Sequence, residues 1–122
     1  MAKMILIIED DDFLQGLEAK KLKKEGYDVL TASNSVDAFK IINGNTKPDM
    51  ILLDLLLPDV DGFMILKRIR EDETLKKIPV IVFSNLSEEK DIKEANKLGI
   101  SDFMIKSNFT LDELADKIKV LI

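Results

Sequence analysis

The chain has 122 residues, enough for one domain with a sizeable core, and its 46% hydrophobic and 34% charged residues are typical of a folded globular protein. It contains no cysteine and no histidine, which excludes disulfides, thiolate chemistry, histidine general bases and histidine-ligated metals. No apolar run reaches the roughly 18 residues of a membrane-spanning helix, the N-terminus lacks a signal-peptide pattern, and the net charge of −5 argues against nucleic acid as the main partner.

Five short apolar runs recur along the chain and predict β-strands. They are residues 4–8 (MILII), 27–32 (YDVLTA), 50–54 (MILLD), 78–84 (IPVIVFS) and 102–106 (DFMIK). Four of the five are continuously apolar rather than alternating, which is typical of strands covered on both faces.

The segments between these runs have the spacing of amphipathic helices. The first helix, roughly 13–25, has a weak pattern, because Lys21 falls where a further apolar residue is expected beside Leu14, Leu17 and Leu22. The apolar positions of the next three helices are Ala38, Ile41 and Ile42; Phe63, Leu66 and Ile69; and Ile92, Ala95 and Leu98. The fourth helix is predicted to begin after an N-cap at Ser87 and to end at Gly99.

The last helix has the clearest start signal. Thr110 and Glu113 have the spacing of a capping box, and an apolar face recurs at Leu111, Leu114, Ile118 and Leu121. Strands that alternate with helices predict βαβ units, so we expect a (βα)5 fold of the α/β class with a parallel sheet covered on both faces. Residues 1–122 are predicted to form a single domain, with no output domain attached.

Polar side chains stand at the ends of four predicted strands. Strand 1 ends at Glu9 and Asp10, strand 3 at Asp54, strand 4 at Ser84 and strand 5 at Lys106. Ligands of open parallel sheets bind beyond the carboxyl ends of the strands. We therefore expect Asp54 to lie at the rim of the sheet, although the run around it is apolar.

Three carboxylates at this rim would repel one another. At an effective dielectric constant of ~20, the three pairs among Glu9, Asp10 and Asp54 would cost ~10 kcal/mol at ~5 Å separation, which Lys106 alone cannot offset. Either some of these groups are protonated or a divalent cation lies among them. Oxygen ligands favour Mg²⁺, or Mn²⁺, over zinc. A carboxylate beside a metal, a lysine and a hydroxyl can act as a nucleophile toward phosphorus.

This arrangement resembles the receiver domain of bacterial two-component response regulators, over nearly the whole chain. The residues that carry the resemblance are Glu9-Asp10, Asp54 in DLLLPDVDG with Pro58 and Gly62, Ser84 and Lys106. The resemblance implies a doubly wound, flavodoxin-like sandwich with strand order 2-1-3-4-5. It also implies a cytoplasmic signalling protein rather than an enzyme, without membrane insertion or direct contact with nucleic acid.

The resemblance implies a role for each strand-end residue. Asp54 would accept a phosphoryl group from a histidine kinase or a phosphotransfer protein. Asp10 would bind Mg²⁺ directly and Glu9 through water, and the backbone carbonyl of Leu56 would be a further ligand. Lys106 would contact the phosphoryl group.

The resemblance also implies a conformational switch. Ser84 would contact the phosphoryl group and move toward it, which would let Phe103 turn inward. That movement would change the face made by helix 4, strand 5 and helix 5, where an unidentified downstream protein would bind.

Four departures from the family pattern qualify these roles. Lys106 is followed by Ser107 instead of a cis-proline; because a non-proline cis bond costs ~3 kcal/mol, we expect a trans bond or local strain. Asn85 replaces a small residue, and Phe103 lacks the hydroxyl of the frequent tyrosine. Leu56 and Leu86 are apolar where the family tunes water attack, so we expect slow dephosphorylation.

Other readings of these residues are possible. A degenerate receiver that binds partners without phosphorylation is one alternative, since Ser107 and Asn85 depart from the pattern. A phosphatase resembling the haloacid-dehalogenase group is another, but the segment Asp10-Asp11-Asp12-Phe13 lacks the Thr or Val of that group's DxDx(T/V) motif, and the chain offers no cap region to exclude water. Asp11 and Asp12 are interpreted as acidic residues at the start of the first helix, where they suit the helix dipole.

Overall fold

The structure is a computed structural model that describes residues 2–122, in which five strands alternate with five α-helices. The strands are β1 (Met4–Ile8), β2 (Asp28–Ala32), β3 (Met50–Leu53), β4 (Val80–Ser84) and β5 (Asp102–Ile105). The helices are α1 (Asp12–Lys24), α2 (Ser35–Ile42), α3 (Gly62–Glu71), α4 (Glu89–Leu98) and α5 (Leu111–Leu121), and a 3₁₀ turn at Lys106–Asn108 precedes α5. None of these helices combines the length and the apolar character that crossing a bilayer requires.

The strands form one parallel sheet in the order β2-β1-β3-β4-β5, which confirms the predicted fold class. Strand β3 lies at the centre, with β1 and β4 as its neighbours. All residues of β3 and β4 are buried, as continuously apolar runs predict, whereas the edge strand β2 is partly exposed. This order brings the carboxyl ends of β1, β3 and β4 side by side.

Side chains alternate between the two faces of the sheet, and each face has its own core. Leu6 and Ile8 of β1 point into the core that is covered by α2, α3 and α4. Ile5 and Ile7 point into the core that is covered by α1 and α5. The period of two along the strand therefore assigns each apolar residue to one of two helical layers.

Several predicted helix ends are confirmed. Thr110 accepts a hydrogen bond from the Glu113 N–H at 3.1 Å, and the Glu113 carboxylate accepts one from the Thr110 N–H at 2.9 Å. Gly99 ends α4 with a φ of 89°, a left-handed conformation that glycine adopts without strain. Asp11 caps α1 by accepting a hydrogen bond from the Leu14 N–H at 3.0 Å.

The expected N-cap of α4 was wrong. Helix α4 begins two residues after Ser87, and its N-cap is Glu88, whose side chain makes no capping hydrogen bond. The acidic first turn of α4 instead interacts favourably with the helix dipole. In α1, Leu17 is 40% exposed, and the buried residues are Glu18 and Leu22. A carboxylate at an inward position explains why the apolar pattern of α1 is weak.

Candidate functional site

The site lies where the carboxyl ends of the parallel strands meet. Glu9 directly follows β1, Asp54 follows β3, Ser84 is the last residue of β4, and Lys106 follows β5. Asp54 contacts Ser84 and Lys106, and Lys106 also contacts Glu9, so these four side chains converge as predicted. Asp10 projects at the same edge and is exposed.

Asp54 is held in place by three neighbours. Its side chain is only 4% exposed. Oδ1 accepts hydrogen bonds from the Ser84 hydroxyl at 2.7 Å and from the Leu56 N–H at 3.0 Å. Oδ2 accepts a hydrogen bond from the Lys106 ammonium at 2.5 Å. These contacts explain how a carboxylate can be buried within an apolar run, because they supply the hydrogen-bond partners that a buried charge requires.

Lys106 bridges two acids rather than one. Its Nζ atom lies 2.6 Å from Glu9 Oε1 as well as 2.5 Å from Asp54 Oδ2, and its side chain is 13% exposed. Burial alone lowers the pKa of Lys106, but the contacts with Asp54 and Glu9 outweigh it, so that the pKa is raised above the ordinary value. Lys106 is therefore a fixed positive charge at this rim.

The peptide bond between Lys106 and Ser107 is trans, since no cis bond occurs in residues 2–122. This is one of the two outcomes expected for a residue that is not proline. The trans bond leads into the 3₁₀ turn, and the ammonium group still reaches Asp54. Replacement of the family's proline by Ser107 therefore leaves Lys106 in contact with both acids.

Glu9 is the second buried acid of the site, with 1% of its surface exposed. Burial raises its pKa, while the contact with Lys106 and the hydrogen bond from the Asp11 N–H oppose this shift. Among the described residues, Oε1 of Glu9 has no aligned hydrogen-bond partner despite its ion pair with Lys106. A buried carboxylate oxygen without an aligned hydrogen-bond donor can accept a further hydrogen bond or coordinate a cation.

Glu9, Asp10 and Asp54 form a cluster with the composition of a hard-cation site. Each offers a carboxylate oxygen, and these oxygens lie within 4.8 Å of one another. Oxygen donors of this kind suit Mg²⁺ and Mn²⁺. The cluster is open to solvent on the side of Asp10, so its geometry fits a divalent ion that keeps some of its water.

The loop between β3 and α3 is tightly packed against the site. A Cβ atom on Gly62 would lie 2.4 Å from the Leu55 Cα, so only glycine fits this position without a backbone shift.

Asp59 of the same loop accepts hydrogen bonds from the Ser35 N–H at 3.0 Å and the Ser35 hydroxyl at 2.6 Å, which joins the loop to the start of α2. The hydrogen bonds lower the pKa of Asp59.

Sequence reasoning did not identify two supporting residues. Asp59 is one, and Gln15 is the other. The Gln15 side-chain amide contacts the Glu9 carbonyl at 2.9 Å, the Ala32 carbonyl at 3.2 Å and the Ser33 hydroxyl at 3.1 Å. Gln15 therefore connects α1 to the loops that follow β1 and β2. A polar residue in the first turn of a helix beside an acidic strand end is the only sequence signal for this role.

The residues predicted to tune the site lie around it. Leu56, 48% exposed, and Leu86, half-buried, line the same depression of about 450 Å³ beside the β3–α3 loop. Asn85 is exposed. Phe103 is half-buried and packs against the core under α2, α3 and α4. None of these four side chains makes a hydrogen bond to Asp54 in the described part of the chain.

Known proteins resemble this chain in sequence. A family model for the response regulator receiver domain matches residues 5–119. The transcriptional regulatory protein KdpE of Staphylococcus aureus is 43% identical over 122 residues, which cover 99% of this chain and 50% of KdpE. The chain spans about half the length of the first curated relatives it matches.

Solved structures resemble it in fold as well. The crystal structure of the phosphorylated cyanobacterial phytochrome response regulator RcpA matches with a TM-score of 0.85 and 31% identity, covering 98% of this chain and 91% of that one. The Mn²⁺-bound form of the response regulator Rcp1 matches with a TM-score of 0.83 and 27% identity, covering 97% and 91%. The chain therefore belongs to the family of two-component response regulator receiver domains.

Proposed function

We propose that this domain is a phosphoacceptor switch of a two-component phosphorelay and that Asp54 is the residue that becomes phosphorylated. The observation that carries the proposal is the environment of Asp54. A nearly buried carboxylate is bonded to a hydroxyl, a backbone N–H and an ammonium group at the carboxyl edge of the sheet. These are groups that can stabilise the charge of a phosphoryl group attached to Asp54.

The phosphoryl donor would be a phosphohistidine of a histidine kinase or a phosphotransfer protein. An oxygen of the Asp54 carboxylate would form a bond to phosphorus while the bond from phosphorus to the imidazole nitrogen breaks. The electron pair of that bond stays on the nitrogen, and the product at Asp54 is an acyl phosphate. Lys106 and Ser84 would then move their contacts from the carboxylate to the phosphoryl oxygens.

The acids of the site fit a divalent cation. Glu9, Asp10, Asp54 and the carbonyl oxygen of Leu56 would hold Mg²⁺ or Mn²⁺, which when bound would reduce the repulsion between these carboxylates and an incoming phosphoryl group. The oxygen-only donor set supports this assignment, as does Glu9 Oε1, which has an ion pair with Lys106 but no hydrogen-bond donor among the described residues. The Mn²⁺-bound structure of the related Rcp1 is consistent with it.

Transmission of the signal would begin at Ser84. In the unphosphorylated domain its hydroxyl donates a hydrogen bond to Asp54. A shift of this hydrogen bond to a phosphoryl oxygen would move the end of β4. Phe103, which is half-buried beside β4, would follow by packing, because it has no hydroxyl to bond. The face formed by α4, β5 and α5 would change and present a new surface to a downstream protein.

The experiment that tests this function is intact-mass measurement after incubation with Mg²⁺ and acetyl phosphate. Wild type should gain one phosphoryl group, Asp54→Asn should gain none, and Asp116→Asn, which removes an exposed carboxylate of α5, should behave as wild type. An adduct on Asp54→Asn would refute the assignment of Asp54.

The alternative function is a degenerate receiver that binds its partner without phosphorylation. The motivation for it was the pair of departures at Ser107 and Asn85. The trans bond at Ser107 leaves Lys106 in contact with Asp54, and the Asn85 side chain is exposed, so neither departure disrupts these contacts. A folded wild-type protein that gains no phosphoryl group would favour the degenerate receiver.

A further inference from the structure

A groove lies between α3 and α4. It encloses about 1080 Å³ and is called here the α3–α4 groove. Its apolar lining includes Phe63, Met64 and Leu98. Met64 is 61% exposed, so the groove presents an apolar side chain to solvent.

The walls of the α3–α4 groove are basic although the whole chain has a net charge of −5. Lys67 comes from α3, and Lys90, Lys93 and Lys97 come from α4. The three lysines of α4 are spaced i, i+3 and i+7, so they form one stripe along the helix. Two acids, Asp61 and Glu94, also line the groove, which leaves four positive charges against two negative ones.

Half of these lysines have no partner within the described residues. Lys90 and Lys93 lie 3.6 Å from Glu88 and 3.2 Å from Glu89 in exposed ion pairs, which contribute little to stability. Lys67 and Lys97, one on each wall, have no carboxylate oxygen within 4.0 Å among residues 2–122. The groove therefore combines an exposed apolar lining with unpaired positive charge on both sides.

We propose that the α3–α4 groove binds an acidic amphipathic helix of a protein partner. Helices α3 and α4 have ten residues each and are about 15 Å long, so a ligand helix of roughly three turns matches the groove. Apolar residues of the ligand would lie on Met64, whose flexible side chain adapts to different shapes. Carboxylates on its flanks would pair with Lys67 and Lys97.

A protein ligand suits these observations better than nucleic acid does. Phosphate backbones are bound by extended basic surfaces, whereas this groove has only four lysines, two acids and an apolar lining in a negatively charged chain. Binding in the groove does not depend on phosphorylation of Asp54, so the two proposals fail independently.

The test uses unphosphorylated protein with ¹³C-labelled methionine methyl groups. The probe is a synthetic three-turn helical peptide with leucine on one face and glutamate on its flanks, and the control peptide has lysine in place of each glutamate. Addition of the acidic peptide should shift the Met64 methyl signal in NMR spectra and leave the buried Met50 and Met104 signals in place. The basic peptide should have no effect.

A charge-reversal pair adds a quantitative test. The double variant Lys67→Glu and Lys97→Glu should lower the affinity for the acidic peptide by about tenfold or more. Lys119 is an exposed lysine of α5 outside the groove, so Lys119→Glu should change this affinity by less than about twofold. Circular dichroism establishes that all variants are folded.

Four results would overturn the proposal. They are an unchanged Met64 signal at millimolar acidic peptide, equal binding of the two peptides, tighter binding of a short DNA duplex in the same groove, and a Met64 shift caused by raising the protein concentration alone. The last result would mean that a second copy of the chain occupies the groove.

Discussion

The buried carboxyl group of Glu18 should make this domain less stable as pH rises. Glu18 lies on the inward side of α1 with 1% of its surface exposed, and its Oε1 atom has no hydrogen-bond partner among the described residues. Burial, reinforced by the charges of Glu9, Asp54 and Asp11, raises its pKa to about 8, although the positive charge of Lys106 opposes the shift. Glu18 is therefore largely protonated at neutral pH.

The size of the effect follows from the two pKa values. The pKa of Glu18 is about 8 in the folded protein and close to its ordinary value of 4.5 in the unfolded chain. The folded state binds the proton more tightly, so its contribution to stability is fully present below about pH 4.5 and is lost as pH rises toward about 8. The slope is about 1.4 kcal/mol per pH unit, and the total is about 5 kcal/mol.

Urea unfolding at several pH values measures this slope, with far-ultraviolet circular dichroism as the signal because the chain has no tryptophan. Glutamine has the shape of glutamate but does not titrate. The free energy of unfolding of Glu18→Gln, relative to wild type, should therefore rise by roughly 2–3 kcal/mol between pH 6 and pH 8. Glu71→Gln alters an exposed residue of α3, so the pH dependence of its free energy of unfolding should be the same as that of wild type.

The comparison isolates Glu18 because other titrating acids, including Glu9, are present in both proteins. Parallel pH profiles for Glu18→Gln and wild type would refute the reasoning. They would mean that the carboxyl group of Glu18 is hydrated or already ionised inside the folded protein.

Four further predictions concern the metal site, the loss of phosphate and two glycines. Addition of about 10 mM Mg²⁺ should raise the melting temperature by roughly 5–6 °C for a dissociation constant near 1 mM. Asp10→Ala should abolish this rise in differential scanning fluorimetry, and a wild type indifferent to Mg²⁺ would contradict the metal assignment. Replacing Leu56 with Asn and Leu86 with Glu should speed loss of phosphate by about tenfold or more, because polar side chains can orient the attacking water; an unchanged rate in a phosphate-release assay would count against it. Gly62→Ala should lower the free energy of unfolding by about 1–3 kcal/mol through overlap with the backbone of the β3–α3 loop. Gly16→Ala in α1, where an added Cβ meets nothing within 4 Å, should instead raise it by about 0.5–1 kcal/mol in the same urea titration.

The architecture, and which polar residues meet at the edge of the sheet, could be predicted from the sequence. Continuously apolar runs can be stabilised only between two helical layers, and strands separated by helices pair in parallel. Parallel strands end at one edge, so Asp54, Ser84 and Lys106 had to meet there once the strands were identified. Helix ends that depend on interactions between neighbouring residues were also predicted from the sequence, as in the Thr110–Glu113 capping box and the glycine that ends α4.

The pairing of the polar groups could not be predicted from the sequence. Lys106 contacts Glu9 and Asp54 together, because two loops far apart in sequence bring the acids to the two sides of one ammonium group. Glu18 is buried because packing of α1 against the sheet sets the rotation of the helix, and a weak apolar pattern could not predict that rotation. Pairing distances and desolvation depend on contacts between segments that are distant in the sequence. The sequence therefore predicts which groups meet, but not the protonation state, charge or hydrogen bonds of each group.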